Sequence, residues 1–323
     1  MVHNEFKLKI KKFELKIKNK MEIFKKSSSL NEYIKSGNFK NKHIIITGCT
    51  GAIGSEVLYR FLKCDSKVVA FYNKGNPNIQ ELDSYINSKK LLFIQLDFEK
   101  ITTKITDKFK EAITFLEGIL DILIFCHGKF FQGDFRTVKT INFDKNININ
   151  VRSNLHFLSL AVPFMKITKG NVVMVSSVES KIVEKGEFLH ALGKTMINSL
   201  VQNSALELAS FGIRINAVAP SFVESDFRKE AMSEEMNIKY LNQMKGFHLL
   251  NKKIMEPGEV ADVIMFLASK DAGFMTGEIV NIDCGFELNH DSSFMVKDEI
   301  EQDNFLQNNE ENNINNINNN NFY

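Results

Sequence analysis

Seven short apolar runs rich in valine and isoleucine constrain the fold of this chain more than any other feature. They are continuous rather than alternating, which is typical of strands that are covered on both faces. Helix-like stretches such as SEVLYRFLK and GEVADVIMFLAS separate them, so we predict an α/β fold with a Rossmann-like, doubly wound, seven-stranded parallel sheet. The runs are HIIITG (43–48), KVVAFY (67–72), LLFIQLD (91–97), DILIFCHG (121–128), NVVMVSS (171–177), IRINAVAP (213–220) and EIVNID (278–283).

Composition divides the 323 residues into three regions. Residues 1–38 form a lysine-rich extension, which suits either a solvated segment or a basic helix that contacts a membrane or a partner. Residues 39–288 hold all seven runs and form a single domain. Residues 289–323 are rich in asparagine and poor in large apolar side chains, so we expect disorder there.

Charge and cysteine usage exclude several classes of protein. A net charge of +2 gives no reason to expect nucleic acid as a partner. The four cysteines are scattered and form no CxxC pair, so neither a metal site nor a disulfide framework is indicated. The sequence shows no apolar run of the ~18 residues that a membrane span needs and no signal-peptide core. We therefore expect a cytoplasmic protein.

A glycine-rich turn, TGCTGAIG (47–54), joins the first apolar run to the first helix. Glycines permit a tight turn and let the backbone approach a pyrophosphate. The following helix N-terminus offers free N–H groups and a partial positive charge. Because the turn lies between a buried strand and an amphipathic helix, it predicts a dinucleotide site.

Several motifs in order resemble the short-chain dehydrogenase/reductase family, over about residues 39 to 286. The final strand is similar to the branch that includes 3-oxoacyl carrier-protein reductases. The resemblance implies an NAD(P)-dependent oxidoreductase that interconverts a carbonyl and an alcohol on a small substrate. The motifs are TGCTGAIG (47–54), Asp97 after the third strand, FCHG (125–128), Asn150, Ser177, Lys194, IRINAVAPSFVES (213–225) and TGEIVNIDCG (276–285).

The same resemblance implies a set of cofactor-binding residues. Asp97 is expected to hydrogen-bond the adenine, and Ser225 to contact the nicotinamide end. No carboxylate closes the second strand, and Lys74 could pair with a 2′-phosphate, so NADP(H) is favoured over NAD(H). The alternative is that Lys74 is an ordinary solvated lysine. The full set is Thr47, Gly48, Thr50, Ile53, Gly54, Tyr72, Lys74, Asp97, Gly128, Lys194, Pro220, Val223 and Ser225.

The catalytic segment departs from the family pattern at one position. Members use a serine, a tyrosine thirteen residues later and a lysine four beyond it, with an asparagine upstream that holds the lysine through a water. Ser177, Lys194 and Asn150 match this pattern, but His190 stands in place of the tyrosine. Positions 190 and 194 share one helix face. Imidazole is an acid–base group, yet the nearby ammonium disfavours its protonated form.

Three interpretations of this substitution stay open. The chain is a working oxidoreductase with His190 as the acid, or with Ser177 and water compensating. Alternatively, it is a nucleotide-binding protein of this fold that has lost turnover and acts as a partner or sensor. A third possibility is an enzyme whose chemistry needs no tyrosine. His127, where the family has asparagine, is a further proton-donor candidate, although a structural role is favoured.

The segment 221–256 lies where the family keeps its substrate lid. Its phenylalanines and methionines suit an apolar substrate of adaptable shape, or they pack the lid onto the body. The helices after Asn150 and from His190 onward pair between subunits in the family, which implies a homodimer or homotetramer. The apolar lid residues are Phe222, Phe227, Met232, Met236, Leu241, Met244 and Phe247.

Overall fold

Seven parallel strands form one sheet in the order β3-β2-β1-β4-β5-β6-β7. Each predicted apolar run contains one strand, so the predicted fold is confirmed. The strand order reverses between β1 and β4, which is where such sheets open a crevice for ligands. The strands are β1 (His43–Thr47), β2 (Lys67–Tyr72), β3 (Leu91–Gln95), β4 (Ile122–Phe125), β5 (Asn171–Val175), β6 (Arg214–Pro220) and β7 (Ile279–Ile282).

The computed structural model describes residues 28–75, 80–100, 103–133, 135–136, 138–227, 233–250 and 252–289. Residues 1–27 of the lysine-rich region and residues 290–323 of the asparagine-rich region lie outside them. The helices are α1 (Ser28–Ser36), α2 (Ala52–Lys63), α3 (Asp83–Asn87), α4 (Thr103–Phe115), α5 (Thr140–Ile147), α6 (Ser153–Thr168), α7 (Phe188–Leu208), α8 (Glu234–Met244), α9 (Pro257–Ala268) and α10 (Phe286–Asn289). A π-helical turn, Asn148–Arg152, joins α5 to α6.

Helices cover both faces of the sheet, and successive side chains of each strand point to opposite faces. Ile45 of β1 packs on one side in a cluster that includes Phe157 of α6. Its neighbour Ile44 packs on the other side in a cluster that includes Val57 of α2 and Ile264 of α9. This explains why the strands read as continuous apolar runs.

A buried arginine of α2 pairs with a carboxylate of its own helix and also contacts α9. Arg60 lies within 2.7 Å of a Glu56 carboxylate oxygen and 3.1 Å of one from Asp262, and it donates to the Gly258 carbonyl. Arg60 and Glu56 are both buried. A charge in such a place is tolerated only while it stays paired, so the packing of α2 depends on this contact.

The folded part reaches further towards the N-terminus than the composition indicates. Helix α1 packs against the domain through Leu30, and the following Phe39 lies edge-on to Phe61 at 5.1 Å. The boundary predicted at residue 39 therefore leaves out a helix that belongs to the packed body. Among the helices of the described ranges, none is both long and apolar enough to cross a membrane.

Candidate active site

A cleft of about 510 Å³ opens at the carboxyl ends of the strands, within the size range of small-molecule sites. The glycine-rich turn lines one end, and residues of α7 and the lid line the other. All the predicted cofactor-binding residues line this cleft except Thr47. Thr47 is instead fully buried behind the turn, where its hydroxyl donates to the Ile124 carbonyl at 3.3 Å.

Two glycines of the turn cannot carry a side chain. Gly48 has φ +72°, and a Cβ there would lie 2.6 Å from the His127 backbone nitrogen. A Cβ on Gly54 would clash with the Gly48 carbonyl oxygen. Helix α2 begins directly after Gly51, so its first N–H groups, which lack partners within the helix, sit at this tight turn.

The predicted adenosine end is organised by hydrogen bonds between loops. Asn73 donates to Asp97 Oδ1 at 3.3 Å, and Gln95 donates to the Asn73 carbonyl at 2.9 Å. Thr50 in the glycine turn donates to the Lys74 carbonyl at 3.0 Å. These contacts fix the loop after β2, which holds Lys74 at the edge of the cleft.

Ser177, His190 and Lys194 line the other end of the cleft, together with Glu179. His190 Nε2 lies 2.9 Å from Glu179 Oε2, and both side chains are 4% exposed. The Glu179 N–H donates to Ser177 Oγ at 3.2 Å, and Ser177 Oγ lies 3.3 Å from the carboxylate. A carboxylate at this distance stabilises the imidazolium form and opposes the repulsion from Lys194.

Lys194 lies one helical turn beyond His190 on α7. Its ammonium donates to the Val175 carbonyl at 2.8 Å. Burial lowers the pKa of Lys194 to about 8, although the charge of Glu179 acts in the opposite direction. The ammonium therefore begins to lose its proton only slightly above neutral pH.

Asn150 lies in the π-helical turn but does not line the cleft. Its Oδ1 accepts from the Lys129 backbone N–H, and its Nδ2 donates to the Lys129 carbonyl, both at 2.9 Å. Nδ2 also donates to Asn146 Oδ1. The side chain thus holds the segment next to Gly128 in place. A water-mediated link from Asn150 to Lys194 stays a prediction.

His127 follows β4 and is tied into the structure on both ring nitrogens. Nδ1 lies 2.7 Å from Thr47 Oγ1 and Nε2 lies 2.8 Å from Ser153 Oγ, while the ring stacks on Phe98 at 4.0 Å. Burial, helped by the charge of Lys194, lowers the pKa of His127 to about 3. A neutral, fully bonded imidazole supports the structural role and leaves His190 as the proton-transfer candidate.

Three rings surround the reacting end. The centroids of Phe130 and His190 are 5.2 Å apart, those of His190 and Phe227 5.8 Å, and those of Phe130 and Phe227 6.0 Å.

The predicted lid residues have two roles. Phe222 and Met244 are buried in a small separate core, with Leu241 and Phe247 packed against it; Phe222 and Leu241 also line the cleft, as does Phe227. Met236 is exposed, and Met232 lies outside the described residues.

The sequence did not predict a group of carboxylates that lies next to His190. Carboxylate oxygens of Glu179, Glu184 and Glu187 lie within 4.8 Å of one another. The Tyr240 hydroxyl of α8 lies 2.8 Å from Glu184 Oε2 and 3.3 Å from Glu187 Oε1. Helix α8, the helix of the lid, is thereby attached to the segment that leads into α7. The sequence signal for this group is the spacing of the three glutamates in VESKIVEKGE, but that spacing matches neither helical nor strand periodicity.

Comparison with known proteins agrees with this geometry. A family model described as enoyl-(acyl carrier protein) reductase matches residues 48–287. A 3-oxoacyl-(acyl-carrier-protein) reductase of Thermotoga maritima is 28% identical, covering 77% of this chain and 99% of its own. A 7alpha-hydroxysteroid dehydrogenase of Bacteroides fragilis is also 28% identical, covering 80% and 99%. The solved structure of ElxO with NADP bound has a TM-score of 0.65 at 27% identity, covering 76% and 98%.

Proposed function

The chain belongs to the short-chain dehydrogenase/reductase family, and from that premise we propose that His190 serves as its proton-transfer group in place of tyrosine. Its relatives are oxidoreductases, which supports a general carbonyl/alcohol oxidoreductase. The observation that carries the proposal is the 2.9 Å contact between His190 Nε2 and Glu179 Oε2. It gives the substituted side chain a counter-ion, which a tyrosine would not require.

The residues of the turn fit a nicotinamide dinucleotide. Gly48 and Gly54 leave no room for a Cβ, so the turn keeps the close backbone packing that a pyrophosphate site uses. When bound, the cofactor supplies or accepts the hydride at the carbonyl carbon. Lys194 lines the cleft, which supports a role in holding the ribose of the cofactor.

The chain's own residues then manage the substrate oxygen. Ser177 donates a hydrogen bond to it, while the protonated His190 gives up its proton as the carbonyl is reduced. In alcohol oxidation the neutral imidazole takes that proton back. Glu179 stabilises the charged ring before reduction and after oxidation. Positioned acid–base groups of this kind contribute about 10²–10⁴-fold to the rate.

The details of cofactor, assembly and location are also proposals. We propose NADP(H) as the preferred cofactor because residues 72–74 carry no carboxylate and Lys74 lies at the cleft. A homodimer or homotetramer is supported by exposed apolar side chains on α6 and α7, among them Leu155 and Leu206, the latter 80% exposed. Four unpaired cysteines support a cytoplasmic location.

A nucleotide-binding protein without turnover is the second candidate, and the loss of the tyrosine favours it. NADPH oxidation against a panel of aldehydes and ketones separates the two, with wild type, His190→Phe, His190→Tyr and Lys194→Ala compared. We expect wild-type turnover that falls about 10²–10⁴-fold in His190→Phe while NADPH affinity by calorimetry stays the same. A silent wild type alongside an active His190→Tyr would establish the binding protein instead.

A further inference from the structure

Asn237 on the lid helix has a buried amide oxygen without a hydrogen-bond partner among the described residues. The residue is 7% exposed, and the unpaired atom is Oδ1. It nevertheless lines the cleft, together with His190, Phe227 and Leu241. Buried amide oxygens are nearly always hydrogen-bonded, because leaving one unpaired costs free energy, so this one calls for an explanation.

Comparison with similar asparagines shows that Asn237 is unusual. Asn38, Asn154 and Asn171 also bury an unpaired Oδ1 within the described part of the chain. In each of them the amide nitrogen donates within the fold, to Asp271, the Asn150 carbonyl and the Leu267 carbonyl, respectively. These three therefore have a structural reason to be asparagine. None of them lines the cleft, whereas Asn237 does.

The lid helix holds Asn237 in a fixed position. The Ser233 hydroxyl caps the helix by accepting the Met236 N–H at 3.2 Å, and the Asn237 N–H donates to the Ser233 carbonyl at 2.9 Å. One turn further on, Tyr240 contacts the carboxylates beside His190. Residues 237 and 240 share a helix face, so Asn237 faces the same side of the cleft as the proton-transfer group.

The surroundings define what this amide can recognise. Phe130, Phe227 and Leu241 give this end of the cleft apolar and aromatic walls. An unpaired oxygen in such walls accepts a hydrogen bond only from a molecule that enters the cleft. A ligand without a donor would leave the oxygen unpaired and would bind less well.

We infer that Asn237 determines substrate specificity by accepting a hydrogen bond, so that the preferred substrates are flat, apolar ketones or aldehydes that also carry a hydroxyl or N–H group. This inference rests on the proposed function, since it assigns the substrate class of the same cleft. It adds a residue that the family resemblance does not indicate and that the chemistry at His190 does not involve.

Paired ligands test the inference. The three hydroxyacetophenone isomers and the matching methylacetophenones are titrated calorimetrically into protein saturated with NADP⁺, where no reduction occurs. We expect at least one hydroxyl isomer to bind about tenfold more tightly than its methyl partner. Asn237→Leu brings that ratio close to one. Asn237→Asp, which keeps the acceptor, preserves it. Asn242→Leu serves as the control, because Asn242 is exposed and accepts from Lys245.

Two outcomes overturn the inference: no hydroxyl isomer is preferred by the wild type, or Asn237→Leu keeps the wild-type ratio while its NADPH affinity shows that it is folded. The proposed function fails differently. If no ketone or aldehyde oxidises NADPH in a turnover assay, the reaction is refuted, whereas the binding ratio still reports on Asn237. The two failures are therefore distinguishable.

Discussion

Glu179→Gln is the substitution that tests the chemistry of the cleft most directly. Glutamine keeps the size of the side chain and an oxygen that accepts from His190 Nε2, but it removes the negative charge. The pair is 2.9 Å apart and both side chains are 4% exposed, so solvent screens the interaction little. Hydrogen bonds to charged groups contribute about 1.5–3 kcal/mol and ordinary ones about 0.5–1.5 kcal/mol, so removing the charge alone costs about 1–1.5 kcal/mol, which corresponds to roughly 5- to 13-fold in rate. We expect kcat/KM for carbonyl reduction to fall by that factor.

The same substitution changes the pH dependence. The pKa of Lys194 is about 8 because burial lowers it, while Glu179 opposes the effect of burial. Without the Glu179 charge this pKa falls further, so the ammonium loses its proton at lower pH. If the charged lysine is needed to hold the cofactor, the alkaline limb of the activity profile lies near pH 8 in the wild type. It moves to lower pH in Glu179→Gln.

Initial rates of NADPH oxidation, measured from about pH 5.5 to 9.5, report both the fall in kcat/KM and the shift of the alkaline limb. Glu224→Gln is the matched control, since Glu224 is an exposed lid residue outside the carboxylate group. Unchanged kcat/KM in Glu179→Gln would refute the role of Glu179 as counter-ion. An alkaline limb that stays in place or moves to higher pH would refute the electrostatic link to Lys194.

Three further outcomes are expected. Lys74→Glu lowers the ratio of NADPH to NADH affinity about tenfold or more, because it places a negative charge beside the 2′-phosphate; an unchanged ratio in calorimetry means that the lysine does not contact it. Gly54→Ala weakens NADPH binding at least tenfold, since its Cβ clashes with the turn, whereas Gly246→Ala, with open space around it, binds normally. Arg60→Ala lowers the free energy of unfolding by about 3–5 kcal/mol in a urea titration, because its carboxylate partner stays buried. Lys108→Ala breaks only an exposed pair and costs about 1 kcal/mol or less, so equal losses in the two variants would contradict this account.

The fold was readable from the sequence because strands buried on both faces need apolar residues at every position. KVVAFY coincides with β2 residue for residue. The N-terminal limit of the folded domain is harder to predict from sequence. Helix α1 carries few apolar residues, and its place in the domain follows only from the packing of Leu30 into the core.

Residues of the candidate site could be predicted from the sequence only where they belong to a recognisable motif. Glu179 is two residues from Ser177 in sequence, yet its contact with His190 depends on the turn Val178–Ser180 and on the start of α7. Asn237 could not be recognised in advance, because an asparagine in a polar helix is ordinary until its burial is known. The motif gives the position of Thr47 but not the direction of its side chain, whose hydroxyl donates to the Ile124 carbonyl.

The pairing of β1 with β4 also bears on how the chain folds. Ile44 lies beside Ile122, so the crevice requires the pairing of two strands that β2, β3 and their connecting helices separate in the sequence. Closing so long a loop is entropically costly, and contacts of this kind slow folding. During synthesis the glycine turn therefore emerges well before the strand that completes its pocket, and a nascent chain that ends before residue 122 has no crevice in which to hold a dinucleotide.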